Sequence, residues 1–155
     1  MRKTKAKKRP LIPDPKFNDE LVTRFVNTLM ERGKKTLSYK IFYDTVDRIA
    51  ESTKEDGYAI WKKAVENLMP SVEVRSRRIG GATFQIPAEV RAGRKTALAM
   101  KWLIQYASDR NGKSMADKLA AESIAASKGE GSAFKKKEDT HKMAEANKAF
   151  AHFRV

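Results

Sequence analysis

The sequence predicts a mainly α protein: a single six-helix domain with one protruding two-stranded β-hairpin and a basic N-terminal arm. Three observations carry this. Apolar residues recur at helical spacing in six separate stretches. One pair of β-prone runs interrupts them, flanking Gly80-Gly81. The first residues are basic, free of acids and then punctuated by prolines, so they cannot collapse on a core. A length of 155 residues suits one compact domain. The expected division is a flexible arm over residues 1–16 and a helical domain over 17–155, with the hairpin at about 72–90.

The arm holds Arg2, Lys3, Lys5, Lys7, Lys8 and Arg9, and Pro10, Pro13 and Pro15 keep it extended. Helical periodicity begins near Asn18. Leu21, Phe25 and Leu29 form one stripe and Val22, Val26 and Met30 the next, together one wide apolar face. Gly33 reads as the left-handed stop of that helix. A second helix is expected from about Lys35 to Thr53, with Leu37, Ile41, Val46 and Ile49 inward. Its later half and the turn after it carry Asp44, Asp47, Glu51, Glu55 and Asp56 against Arg48 and Lys54. That acidic stretch is expected to face solvent or a protein neighbour. A third helix starts after Gly57, buries Ile60, Trp61, Ala64, Val65 and Leu68, and stops at Pro70.

The period then changes. Two strand-like runs, 72–79 and 82–90, are joined by Gly80-Gly81, a strong hairpin signal. A tight two-residue turn would pair Ile79 with Ala82, Arg77 with Phe84 and Arg75 with Ile86. One ribbon face would carry Arg75, Arg77, Phe84 and Ile86, the other Ser76, Arg78, Thr83 and Gln85. Polar groups on both faces describe an arm wetted or contacted all round. Pro87 lacks the donor of a central strand, so the ribbon is free or a sheet edge. Lone ribbons are marginal in water, so helices must support its base or a ligand its tip.

Three more helices follow. The fourth spans roughly Gly93 to Arg110, with Leu98, Trp102, Leu103 and Tyr106 inward, and Asn111-Gly112 breaks it. The fifth runs from about Ser114 to Ser127, anchored by Leu119 and Ile124. The last, about Lys135 to Phe150, has few large apolar residues beyond Met143 and Phe150, so it is expected to lie on the surface and fray.

Charge narrows the function. Hydrophobic residues make up 41% of the chain, enough for a core, while 33 Lys and Arg against 19 Asp and Glu give a formal charge of +14. A polyanionic partner is the simplest compensation, nucleic acid before an anionic membrane. The chain has no Cys, which removes disulfides and thiolate metal sites and fits a reducing cytoplasm. The basic start is followed by Pro13-Asp14-Pro15 rather than an apolar run, so no signal segment is expected, and no stretch approaches the about 20 apolar residues of a membrane span.

Little points to catalysis. His141 and His152 are the only histidines, with no metal-ligand spacing, and both read as surface residues. Gly33-Lys34-Lys35 lacks the first glycine and the Ser or Thr of a phosphate loop. Glu130, Glu138 and Asp139 sit among lysines as surface charge balance. No enzyme, metal or cofactor is expected.

Binding chemistry concentrates elsewhere. Arg75, Arg77, Arg78, Arg91, Arg94, Lys95 and Lys101 stand against Glu89 alone in the stretch from Arg75 to Lys101. Guanidinium groups grip phosphate with paired bonds and stack on bases, which lysine cannot do. Composition leaves RNA and duplex DNA both open, since a basic ribbon suits a minor groove as well as folded RNA.

Three blocks carry a resemblance. The first runs from Asp19-Glu20-Leu21-Val22 through Met30-Glu31-Arg32-Gly33-Lys34-Lys35 to Ile41-Phe42-Tyr43-Asp44. The second is Ala64-Val65-Glu66-Asn67 with Glu73-Val74-Arg75-Ser76-Arg77-Arg78-Ile79-Gly80-Gly81-Ala82. The third is Lys135-Lys136-Lys137-Glu138-Asp139 with Met143-Ala144-Glu145-Ala146-Asn147 and a final Phe150-Ala151-His152-Phe153. In these blocks the chain resembles the bacterial form of the small-subunit ribosomal protein seven family. The resemblance implies a cytoplasmic ribosomal protein that binds the head region of small-subunit rRNA and nucleates its assembly. It also implies a hairpin near exit-site tRNA and the mRNA path, and contact with small-subunit ribosomal proteins nine and eleven. The expected rRNA-binding set is Arg2, Lys3, Lys5, Lys7, Lys8, Arg9, Lys34, Lys35, Arg75, Arg77, Arg78, Arg91, Arg94, Lys95, Lys101, Lys113, Lys135, Lys136 and Lys137, with Gly80 and Gly81 as the hairpin turn.

Overall fold

The computed structural model describes residues 10–153, so the basic run from Arg2 to Arg9 lies outside the described residues. The chain divides into two compact units, residues 1–39 and 40–155.

In the first unit, Asp19 opens α1 (Glu20–Leu29) by accepting a hydrogen bond from the Leu21 N–H, the usual work of an Asp N-cap. Val22, Phe25 and Val26 are fully buried, as the double stripe requires. The helix ends at Leu29 because Met30 turns extended, its N–H still bonded to the Val26 carbonyl. Gly33 is therefore not the stop of α1. With φ +76°, and Arg32 at φ +50°, it shapes the turn into the next helix. Ahead of α1, the buried Asp14 carboxylate accepts from the Lys16 and Phe17 N–H groups, and the Thr23 hydroxyl donates to the Ile12 carbonyl. The describable end of the expected arm is thus a side-chain-capped turn. Leu37, expected inward, is exposed.

The long helix α2 (Lys35–Thr53) enters the second unit at Lys40. There Phe42, absent from the expected core, is fully buried and meets Trp61 edge-on with ring centroids 4.9 Å apart. Asp56 caps α3 (Gly57–Leu68), and Gly57 lies so close to α2 that an added Cβ would stand 2.1 Å from the Val46 carbonyl oxygen. The chain then forms the antiparallel pair β1 (Val72–Ile79) and β2 (Ala82–Glu89) in the expected register, Ile79 opposite Ala82 and Arg75 opposite Ile86. Gly80 and Gly81 turn it with φ +56° and +91°, values that favour glycine at both positions.

Helices α4 (Ala92–Ser108) and α5 (Met115–Ser127) pack with α3 around Trp61, Leu68, Met100, Leu103 and Leu119. Ser114 and Asp117 close a reciprocal capping box at the start of α5. Helix α6 (Ser132–Ala146) departs from expectation twice. It starts three residues before Lys135 and gives way to a short 3₁₀ helix, Lys148–Phe153, instead of running to Phe150. Nor is it peripheral: it packs on α3, α4, α5 and both strands, burying Ala133, Thr140 and Ala144. The small side chains that suggested a weak surface helix are what let its backbone approach so many neighbours.

One acid holds this junction. Glu122, in α5, is fully buried; it pairs with Arg110 and accepts the Ala133 N–H at 2.8 Å, supplying a partner to the first turn of α6. Glu122, rather than the half-buried Ile124, is the inward anchor there.

Candidate nucleic-acid interface

The two ribbon faces are not equivalent. Glu73, Arg75, Arg77, Phe84 and Ile86 share one face; Ser76, Arg78, Thr83 and Gln85 share the other. On the first face Glu73 and Ile86 are buried, and Phe84 packs against Phe150 of the 3₁₀ helix with centroids 5.3 Å apart. The base of the hairpin is thus seated on the body, and the expectation of a ribbon open all round holds only for the second face and the tip. Ser76, Arg78, Thr83 and Gln85 are all exposed, and the Ser76 hydroxyl donates to the Gln85 side-chain oxygen at 3.1 Å.

Seating the hairpin requires an acid outside the expected set. The Glu73 side chain is only 9% exposed, whereas Arg75 is 59% and Arg94 54% exposed, so the carboxylate is covered and the guanidinium groups are presented. Arg75 donates from Nε and Nη2 to Glu73 Oε1 at 2.9 and 2.7 Å. Arg94 donates from Nε to Oε1 and Oε2 at 3.0 and 2.8 Å. Burial alone would raise the Glu73 pKa, but the hydrogen bonds and charges of Arg94 and Arg75 outweigh it and hold the group below its ordinary value. A signal was available: Glu73, Arg75 and Arg77 alternate at period two and must share a face. Counting charge from Arg75 onward hid it.

The Arg94 bond joins the hairpin to the start of α4. Arg91 is the N-cap residue there and contributes no side-chain cap, leaving its guanidinium exposed beside the first turn. Lys95 is half-buried and Lys101 exposed further along the helix. Arg75, Arg94, Arg91 and the exposed Arg78 therefore belong to one connected part of the second unit, the hairpin and the helix it leads into.

The other expected cations lie on other elements. Lys113 is exposed in the turn between α4 and α5. On α6, Lys135 is exposed and Lys136 half-buried, while the Lys137 ammonium donates to the Asn67 carbonyl at 2.6 Å and lies over the Phe134 ring. Lys34 and Lys35 are exposed in the first unit, Lys35 over the Tyr39 ring. Further along α6, His141 accepts the Ser71 N–H through Nε2 at 3.1 Å, tying the helix to the entry of β1. Burial, and secondarily the charge of Lys137, lower its pKa. Among the described residues no group of three or more His, Asp or Glu side chains could hold a metal ion, and no helix is long and apolar enough to cross a membrane. A cavity of about 800 Å³ lies between the α2–α3 turn and the end of α5, lined in part by Glu55, Asp56, Ile60, Lys63 and Ile124; no expected RNA-contact residue lines it.

Comparison with known proteins gives the family. Residues 1–148 match the family described as ribosomal protein S7p/S5e. The chain is 63% identical to the small ribosomal subunit protein uS7 of Cytophaga hutchinsonii, and 63% identical to that of Christiangramia forsetii, over 99% of each chain in both cases. It is 56% identical to uS7 of Amoebophilus asiaticus over 100% of both chains. A family match over nearly all of the sequence, with blocks at both ends and the hairpin between them, leaves one assignment: the chain belongs to the ribosomal protein S7p/S5e family.

Proposed function

We propose that this chain is a structural, rRNA-binding protein of the small ribosomal subunit, and that it nucleates assembly of the head region. The family is one of ribosomal structural proteins rather than enzymes. The observation that supports rRNA binding most directly is the arginine surface of the hairpin and the start of α4, whose guanidinium groups are exposed while the acid between them is covered. Such a surface acts mainly through phosphate, with charge-assisted bonds that fix register on a folded RNA.

Arg75, Arg77, Arg78, Arg91, Arg94, Lys95 and Lys101 form the principal contact surface, turned by Gly80 and Gly81. Lys34, Lys35, Lys113, Lys135, Lys136 and Lys137 add anchors, and the six basic residues from Arg2 to Arg9 add further cations. The hairpin tip reaches toward exit-site tRNA and the mRNA path, and ribosomal proteins nine and eleven are neighbours. Chemical footprinting on whole small-subunit rRNA, with duplex DNA as competitor, tests the reading. Protection confined to one junction of the head, resistant to DNA, is the expected result. Equal competition by DNA would replace it with a general duplex binder.

A further inference from the structure

We propose that Glu73 is a positioning residue of the RNA-binding surface: it clamps the Arg75 and Arg94 guanidinium groups into a fixed two-pronged phosphate grip. The inference rests on the RNA-binding reading above and adds a residue of the opposite charge to it.

The geometry is specific. Arg75 Nη2 and Arg94 Nε reach the same oxygen, Glu73 Oε1, at 2.7 and 3.0 Å, so two guanidinium groups from different elements are held within about 6 Å of each other. Two like charges that close repel, and without the carboxylate each long side chain would swing toward solvent. The bonds also choose which edge of each group is spent. Arg94 gives only Nε to Glu73, which leaves both terminal nitrogens, the fork that meets phosphate, unspent on the acid in a side chain 54% exposed. Arg75 gives Nε and Nη2 to one oxygen and keeps Nη1 for a ligand. Because Glu73 is covered and the arginines are more than half exposed, an approaching phosphate meets the Arg94 fork and Arg75 Nη1 and not the acid.

Coulomb attraction alone makes the opposite forecast. Removing an acid from a basic surface raises its charge by one and should tighten RNA binding. Preorganisation predicts loss, because two rotamer-rich side chains must then be ordered during binding, each an appreciable part of a tenfold penalty.

The test is Glu73→Gln in the full chain, with affinity for small-subunit rRNA measured by filter binding near physiological salt. Binding about tenfold weaker than wild type is expected, with Glu73→Asp, which keeps the charge, close to wild type. In an Arg75→Ala/Arg94→Ala background, Glu73→Gln should have no further effect, whereas a general weakening of the hairpin would cost affinity there too. Glu73→Gln binding as tightly as wild type or tighter, or an equal loss in the double-alanine background, overturns the inference while leaving the RNA-binding reading standing. Wild-type protein that fails to bind the rRNA overturns both. If Glu73→Gln melts early, Glu73→Asp carries the comparison: affinity tracking thermal stability across the two variants, rather than the presence of the arginines, also overturns it.

Discussion

Replacing the hairpin arginines one at a time and then together separates charge from fold. Each cation withdrawn from a phosphate should lower the slope of log K against log salt by about 0.7–0.9, so Arg75→Ala/Arg77→Ala/Arg78→Ala together should lower it by about 2–3 if each acts independently. The structure says that they do not. Arg78 stands on the open face, exposed and opposite Thr83, so its removal should register at close to the full increment. Arg75 already shares a buried carboxylate with Arg94, so it displaces fewer counterions from the RNA and its removal should change the slope by well under the full increment. A combined drop nearer about 2 than about 3 is expected. Across a fourfold change in salt, a difference of about 2 in slope alters relative affinity by roughly 16-fold, well within filter-binding precision. Equal slope changes for Arg75→Ala and Arg78→Ala would refute the claim that Glu73 screens one and not the other. An unchanged slope in the triple variant would remove the hairpin from the interface.

Three further expectations concern the frame. Glu122→Ala strands the Ala133 N–H and leaves Arg110 unpaired; with Arg110 about a third exposed, the cost should be about 3 kcal/mol in urea unfolding, and under 1 kcal/mol would show that α6 does not depend on it. Gly57→Ala drives a methyl into the Val46 carbonyl, and since backbone must move it should cost about 2 kcal/mol by the same assay, a neutral result showing that the α2–α3 turn yields freely. His141 has a lowered folded pKa, so its share of stability is complete above the ordinary value of 6.5 and is lost as pH falls through the folded value. Wild type should therefore lose stability from pH 7.5 to 5.5 more steeply than His141→Asn, and equal slopes would count against burial of the imidazole beside Lys137 as the cause.

Much of the fold was legible because it rests on local rules. The bounds of α2 and α3 follow from periodicity and from Pro70, and the ribbon register follows from two glycines whose positive φ permits a two-residue turn. Several of the misreadings share a cause: small or charged residues that occupy the core. Ala133 and Ala144 look weak on a hydropathy count, yet their size is what allows α6 to pack on α3, α4, α5 and both strands. Glu122 and Glu73 count as surface charge in a sequence until a fold buries them. Leu37 shows the converse, an apolar residue on schedule for the core that ends exposed. The candidate cationic surface was legible as composition, and the openness of the ribbon was overestimated because nothing local reveals that Phe84 will find Phe150.

These buried acids change what the charge of +14 means. A sum treats every acid as subtracting one cation from the RNA-binding total. The fold instead uses Glu73 to hold two arginines at the surface and Glu122 to fasten Arg110 and α6, on which both strands rest. Both carboxylates are buried, and in the grip proposed above Glu73 stiffens the cationic surface. The exposed acids of α2 and its following turn, Asp47, Glu51, Glu55 and Asp56, are the ones that would repel phosphate, and they lie on a different element from every arginine of the hairpin surface. On that proposal an RNA-binding protein gains affinity by retaining a negative charge, provided the charge is covered and its partners are not. The relevant quantity is how many cations the fold has already aimed, and the Glu73 series measures that separately from net charge.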